Sequence, residues 1–128
     1  MNQDYVNELV AEWDEVYKKG QLSLWVLLAV SDGKKYAAEI AEFMYRATNG
    51  TFEVQEQSLY RALRRFKGMG MVVVTEEDSP NGGPRRKFYE LTTVGKSVLA
   101  TFIELHVAPL IDPAMIQLLK RTVQEGEK

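Results

Sequence analysis

Six consecutive residues, Ser79-Pro80-Asn81-Gly82-Gly83-Pro84, are all turn formers, and they limit the fold more than any other stretch of the chain. Two prolines with fixed φ and two adjacent glycines fit neither a helix interior nor a central strand. On one side lies the β-branched run Met71-Val72-Val73-Val74-Thr75, and on the other Arg86-Lys87-Phe88-Tyr89-Glu90-Leu91. Each is short and suited to a strand, so the two predict a β-hairpin with a long tip. The rest of the chain has helical spacing, and the hairpin must be an appendage to a helical body.

Upstream of the hairpin, Leu59, Ala62, Leu63 and Phe66 fall at i, i+3, i+4 and i+7 and predict a helix over about residues 55–67, stopped by Gly68 or Gly70. A helix from about Tyr36 to Thr48 turns Ile40, Phe43, Met44 and Ala47 inward, with Asn49-Gly50 as its left-handed cap. The run Leu22 to Val30 is apolar on every side and reads as a short buried helix closed by Ser31-Asp32-Gly33. Before it, Val6, Leu9, Trp13 and Val16, widened by Tyr5, Val10 and Tyr17, give an amphipathic helix over residues 3–18 that Gly20 ends. After the hairpin, Thr92 caps a helix with Val94, Val98, Phe102 and Leu105 on its apolar side, which Pro109 breaks or kinks. Asp112-Pro113 restarts a last helix carrying Met115, Leu118 and Leu119.

The architecture predicted is therefore mainly α with a β-hairpin: a winged helix-turn-helix domain over residues 21–92, an N-terminal amphipathic helix over 1–20, and C-terminal helices over 93–128. A small winged domain covers its own core with three helices and a hairpin. The added stripes at both ends, including Trp13, Val16, Phe102, Leu105, Met115 and Leu119, ask for a partner and predict dimerisation helices.

The formal net charge of −2 argues against a nucleic-acid partner until its distribution is read. Residues 1–54 carry −4, residues 55–87 carry +3 and residues 88–128 carry −1. Positive charge is gathered in the helix before the hairpin and in the hairpin itself, the two elements that a winged helix presents to a duplex. On the helix, Gln57, Ser58, Tyr60, Arg61, Arg64 and Arg65 lie off the apolar stripe, and Arg and Gln are the types that donate bidentately to base edges or reach phosphate. On the hairpin, Arg85, Arg86 and Lys87 stand where a wing reaches the flank, with Glu76, Glu77 and Asp78 as their competing intramolecular partners.

Other functions find little support in the residues. There is no cysteine, so disulfides and thiol chemistry are excluded. The only histidine, His106, has Phe102 and Leu110 as its i−4 and i+4 neighbours and no partner at metal spacing. Asn81-Gly82-Gly83 leads into a strand, not into a helix N-terminus that could receive phosphate. No catalytic constellation, metal site or cofactor is expected. The segment Met1 to Val16 carries acids throughout and lacks the order of a secretory leader, and the longest apolar run, Leu24 to Val30, is far below the ~20 residues of a bilayer span. A cytoplasmic chain without a membrane partner is expected.

A longer pattern points the same way. Ser58-Leu59-Tyr60-Arg61-Ala62-Leu63-Arg64-Arg65-Phe66, then Gly70-Met71-Val72, then Gly83-Pro84-Arg85-Arg86-Lys87-Phe88-Tyr89-Glu90-Leu91-Thr92-Thr93-Val94-Gly95 resembles the signature of the PadR family of winged-helix transcriptional regulators. The resemblance covers about residues 22–105. It departs at Tyr36-Ala37-Ala38-Glu39-Ile40, where the family commonly has tyrosine-glycine-tyrosine before the isoleucine, and at Phe66-Lys67, where leucine-glutamate is usual. The resemblance implies a homodimeric repressor of a pseudo-palindromic double-stranded DNA operator, with end helices pairing between subunits and a small aromatic effector near the interface. Trp13, Tyr17, Trp25 and Phe102 are the aromatic residues that could line such a site. The competing reading is a winged-helix interaction module without DNA binding, supported by the acidic total charge.

Overall fold

The computed structural model describes residues 2–79 and 81–127. Its elements are α1 (Gln3–Ser31), α2 (Ala37–Ala47), α3 (Glu56–Gly68), β1 (Val72–Glu77), β2 (Arg86–Leu91), α4 (Thr93–Phe102), a π-helical turn (Ile103–Val107), α5 (Ala108–Ile111) and α6 (Pro113–Gly126). The strands form an antiparallel pair in register Val72 to Leu91 and Glu77 to Arg86, so Ser79 and Asn81 to Pro84 lie at the hairpin tip as expected, while Pro80 lies outside the described residues. This is a helical protein with a two-stranded wing.

The core gathers where α1, α2, α3 and the wing meet. Val26, Leu27, Ala29 and Val30 of α1 pack with Ile40 and Met44 of α2, with Leu59, Ala62, Leu63 and Phe66 of α3, and with Val72, Tyr89 and Leu91 of the hairpin. The α3 stripe is buried at all four expected positions. On α2, Ile40 and Met44 are buried and Phe43 is half-buried, but Ala47 is exposed, because the last turn of α2 is already leaving the core. Asn49 and Gly50 take φ of 53° and 80°, and the Gly50 N–H donates to the Tyr45 carbonyl at 2.7 Å, closing that helix as its sequence requires.

Gly20 does not end the first helix. The expected pair of helices is one helix of 29 residues, about 43 Å long. Glycine lowers helix propensity without forbidding helix, and here good helix formers stand on both sides of it. From residue 2 to residue 20 only Val6 and Lys18 are even half-buried, whereas Val26 to Val30 carry the α1 share of the core. The boundary read at residue 20 thus lies inside a continuous element. A Cβ built on Gly20 meets nothing within 4 Å. Gly20→Ala is therefore expected to stabilise the protein by about 0.5–1 kcal/mol, read as a higher midpoint in chemical denaturation.

Pro109 does not break the helix that begins at Thr93. The chain stays helical to Ile111 by widening: the Ala108 N–H donates to the carbonyl of Ile103, five residues back, across the π-helical turn. That shift in hydrogen-bond register lets the helix continue past a residue that lacks an N–H. The stop comes at Asp112, whose Oδ2 accepts from the Ala114 N–H at 3.2 Å and so caps α6. Thr93–Ile111 is long and apolar enough to cross a membrane by length and composition. Only Gly95 and Leu99 of this segment are buried; Val94, Val98, Phe102 and Leu105 form the expected stripe but face outward.

Candidate nucleic-acid interface

The outer face of α3 is built by the same periodicity that buries its inner face. Opposite Leu59, Ala62, Leu63 and Phe66, the helix presents Gln57, Tyr60, Arg61 and Arg64, which with Glu56 line an open hollow of about 480 Å³. Among the described residues neither Arg61 nor Arg64 has an ion-pair partner. Uncommitted guanidinium groups on an exposed helix face are available to an external anion.

A second hollow, of about 490 Å³, lies beside the first and shares Tyr60 with it. It is walled by the start of α2 at Tyr36 to Ala38 and by Arg85, Arg86, Lys87 and Tyr89 of the wing. The wing is pinned there by two backbone hydrogen bonds between Lys35 and Tyr89, at 3.1 and 2.8 Å. The Tyr89 hydroxyl is held above its ordinary pKa, chiefly by burial and then by the neighbouring Tyr60, against the opposite pull of Arg64. At neutral pH it is a phenol that can donate a hydrogen bond, and its neighbours show how closely α3 and the wing approach.

The cations expected at this surface divide into two groups. Arg61, Arg64, Arg86 and Lys87 are free of side-chain ion pairs among the described residues. Arg85 is committed to its own hairpin: it donates to the Glu76 carbonyl at 2.6 Å and lies 3.7 Å from the Asp78 carboxylate. Arg65 is turned away from the group. Its Nη2 donates to Ser23 Oγ of α1 at 2.9 Å, and its guanidinium lies 5.2 Å from the Phe66 ring. Half-buried Ser58 shares that flank of α3, because residues seven apart lie one above the other on a helix. The structure therefore brings Gln57, Tyr60, Arg61, Arg64, Arg86 and Lys87 onto one surface, and it separates Ser58 and Arg65 from them.

Two contributors were missed in the sequence. Tyr36 carries Arg86 over its ring at 4.3 Å, and Lys34 pairs with Glu77 at 2.8 Å, tying the loop before α2 to the far end of β1. The hydrogen bond with Glu77 raises the Lys34 pKa, and the same contact lowers that of Glu77, so both are charged at neutral pH. Glu77 is thereby removed as a competitor for the wing cations. Neither pairing has a local sequence signal, since Lys34 and Glu77 are 43 positions apart and Tyr36 and Arg86 are further apart still.

The four aromatic residues expected to line an effector site do not converge within the chain. Phe102 lines an apolar groove of about 420 Å³ with Gly20, Leu24, Leu27, Met69 and Val98. Trp13 and Tyr17 lie on the same side of α1 as Gly20 and Leu24 but nearer its start, and both are exposed. Trp25 is on another side, half-buried, with its indole N–H donating to Gln21 at 3.4 Å.

The family model of the PadR-like transcriptional regulators matches residues 26–101, from the core end of α1 to the end of α4. The chain belongs to this family. Solved structures agree. A PadR-like transcription factor from Bacteroides fragilis is 27% identical with a TM-score of 0.58, over 89% of this chain and 97% of that one. A PadR-like transcriptional regulator from Bacillus cereus is 25% identical with a TM-score of 0.61, over 83% and 93%. An uncharacterised protein from Lysinibacillus sphaericus is 27% identical over 86 residues, which are 67% of this chain and 78% of that one. This PadR-like chain is a DNA-binding transcriptional regulator, and its winged helix is the element such regulators use.

Proposed function

We propose that the chain is a cytoplasmic, homodimeric repressor that reads a pseudo-palindromic operator and is released by a small aromatic effector. The observation that carries this reading is the shared surface of uncommitted cations, Arg61 and Arg64 on α3 beside Arg86 and Lys87 on the wing. α3 enters the major groove, where Gln57, Arg61 and Arg64 face base edges or phosphates and Tyr60 steadies the helix. The wing follows the flank. Arg65, through Ser23, fixes α3 to α1, and Arg85 stiffens the wing.

Residues 21–92 form the DNA-binding unit, while residues 1–20 and 93–128 supply the dimer contact. Support comes from large apolar side chains that one protomer leaves in water: Trp13 is 74% exposed, Val16 69% and Leu105 63%. So many large apolar side chains left in water suit the two-fold pairing of end helices, which would bury them. An effector seated against Phe102 and the Trp13–Tyr17 side of α1 would touch the helix that Ser23 links to Arg65. Its binding would thereby change the spacing or tilt of the two α3 helices.

The test is a mobility-shift titration against the upstream region of the chain's own gene and a scrambled duplex of equal length, at two salt concentrations, with the complex sized by sedimentation. Selective binding that weakens with salt, at two protomers per duplex, is expected. Absence of binding even at low salt would favour the protein-interaction module instead. One protomer per duplex would remove the dimer.

A further inference from the structure

The Arg86 side chain makes no hydrogen bond or ion pair to another side chain among the described residues, yet it has a fixed neighbour: its guanidinium carbon sits 4.3 Å from the centroid of the Tyr36 ring. Tyr36 is itself held from three directions. Its ring meets buried Phe88 edge-on at 5.5 Å with an interplanar angle of 84°. Its N–H donates to the Glu39 carboxylate at 3.2 Å, and the preceding residue, Lys35, is bonded in both directions to Tyr89 of β2. A rigid ring thus stands between the first turn of α2 and the wing, beneath a cation at the edge of the hollow of about 490 Å³.

We propose that Tyr36 is a positioning residue that holds Arg86 over this hollow, and that the hollow takes one backbone phosphate of the duplex beside the α3 contact. The inference rests on the DNA-binding reading and adds a residue and a ligand group to it. A cation over a ring uses no N–H donor, so the guanidinium keeps its whole fork for the phosphate oxygens. A free arginine must give up several rotors to bind, whereas one already resting on a ring has given up part of that freedom beforehand. The same hollow presents the Tyr60 and Tyr89 phenols and Lys87, all able to donate a hydrogen bond to an anion. Arg85 lies on the same wall but is spent on the Glu76 carbonyl and Asp78. Of the two adjacent wing arginines, then, Arg86 is the one free to bind.

A contact to phosphate alone is independent of sequence, so its test needs no operator: binding to a short scrambled duplex at low salt, followed by fluorescence anisotropy across a salt series. Arg86→Ala should weaken binding and lower the slope of log affinity against log salt by about 0.9, one phosphate's worth. Tyr36→Leu, which keeps apolar contact with Phe88, should weaken binding roughly 5-fold. It should have no further effect once Arg86→Ala is present, while Tyr36→Phe should bind as the unaltered protein does. Arg86→Lys, which leaves Tyr36 and the fold untouched, should recover only part of the lost affinity, because lysine keeps the charge without the planar fork. An equal loss from Tyr36→Leu in both backgrounds, or full recovery with Arg86→Lys, would overturn the positioning role while DNA binding stood. An unaltered protein that binds no duplex would remove the DNA-binding reading itself, and this inference with it.

Discussion

The double variant Arg61→Ala/Arg64→Ala is expected to lose operator-specific binding by about 30-fold to 10⁴-fold while keeping its fold and its association state. The two guanidinium groups are exposed, lack ion-pair partners among the described residues, and lie on the face of α3 opposite its four buried residues. Removing them takes nothing from the core, so the thermal midpoint should change little. Each bidentate arginine contact to a base edge discriminates by ~1–3 kcal/mol, and the quoted range is the loss of two such contacts. A control follows from the geometry. Arg65→Ala sits on the same helix and removes one positive charge where the double variant removes two, but it breaks the hydrogen bond to Ser23 instead. It should cost modest stability and little sequence discrimination. If the Arg65 variant lost specificity and the double variant kept it, the DNA-reading face of α3 would have to be redrawn around Ser58 and Arg65.

That contrast also shows where the sequence is informative and where it stops. The α3 stripe is legible because burial at i, i+3, i+4 and i+7 is a local rule, and the turn cluster at Ser79–Pro84 is legible because proline and glycine restrict the chain residue by residue. The flank of α3 is a different matter. Arg61 and Arg65 are both off the stripe, and only the placement of Ser23, forty-two positions earlier, decides that Arg65 turns toward α1. The same holds for the wing. Arg85, Arg86 and Lys87 are equivalent as a run of cations, and the difference among them comes from the Glu76 carbonyl, the Tyr36 ring and the open hollow, none of which is local. Gly20 fails in the opposite direction. Glycine punctuates many helices, but this one has no turn partners and α1 runs through it. At Pro109 the missing N–H does disturb the helix, but helical chain on both sides absorbs it as a π-helical turn rather than a break. The outward stripe of α4 is legible as apolar, yet the direction it faces depends on Leu99 and Gly95 taking the core side.

Gly95→Ala is expected to be among the most destabilising single-methyl additions in this protein, at about 3 kcal/mol, with a fall in thermal midpoint on the order of 10 °C. Gly95 stands in the first turn of α4, and a Cβ built there overlaps the Met71 carbonyl oxygen, with the Met71 carbonyl carbon at 3.0 Å and Leu91 Cδ2 at 3.1 Å. The obstruction is backbone, and it is already fixed. The Met71 carbonyl accepts from the Thr92 N–H at 3.0 Å, and the Met71 N–H donates to the Phe66 carbonyl at 2.9 Å. Thr92 Oγ1 donates to the Gly70 carbonyl at 2.6 Å and accepts from the Gly95 N–H at 3.0 Å, so this one side chain caps α4 and ties it to the strand entry. An added methyl cannot be accommodated by a rotamer change; α4 must move away from β1. That movement would withdraw Leu99 from the core and shift Val98 and Phe102, which line the apolar groove with Gly20 and Leu24. Stability should therefore fall in Gly95→Ala, and with it the association proposed for the end helices, whereas Gly20→Ala, with open space around its added methyl, should raise stability. If calorimetry found the Gly95 variant as stable as the unaltered protein, the close approach of α4 to the Met71 carbonyl would not hold.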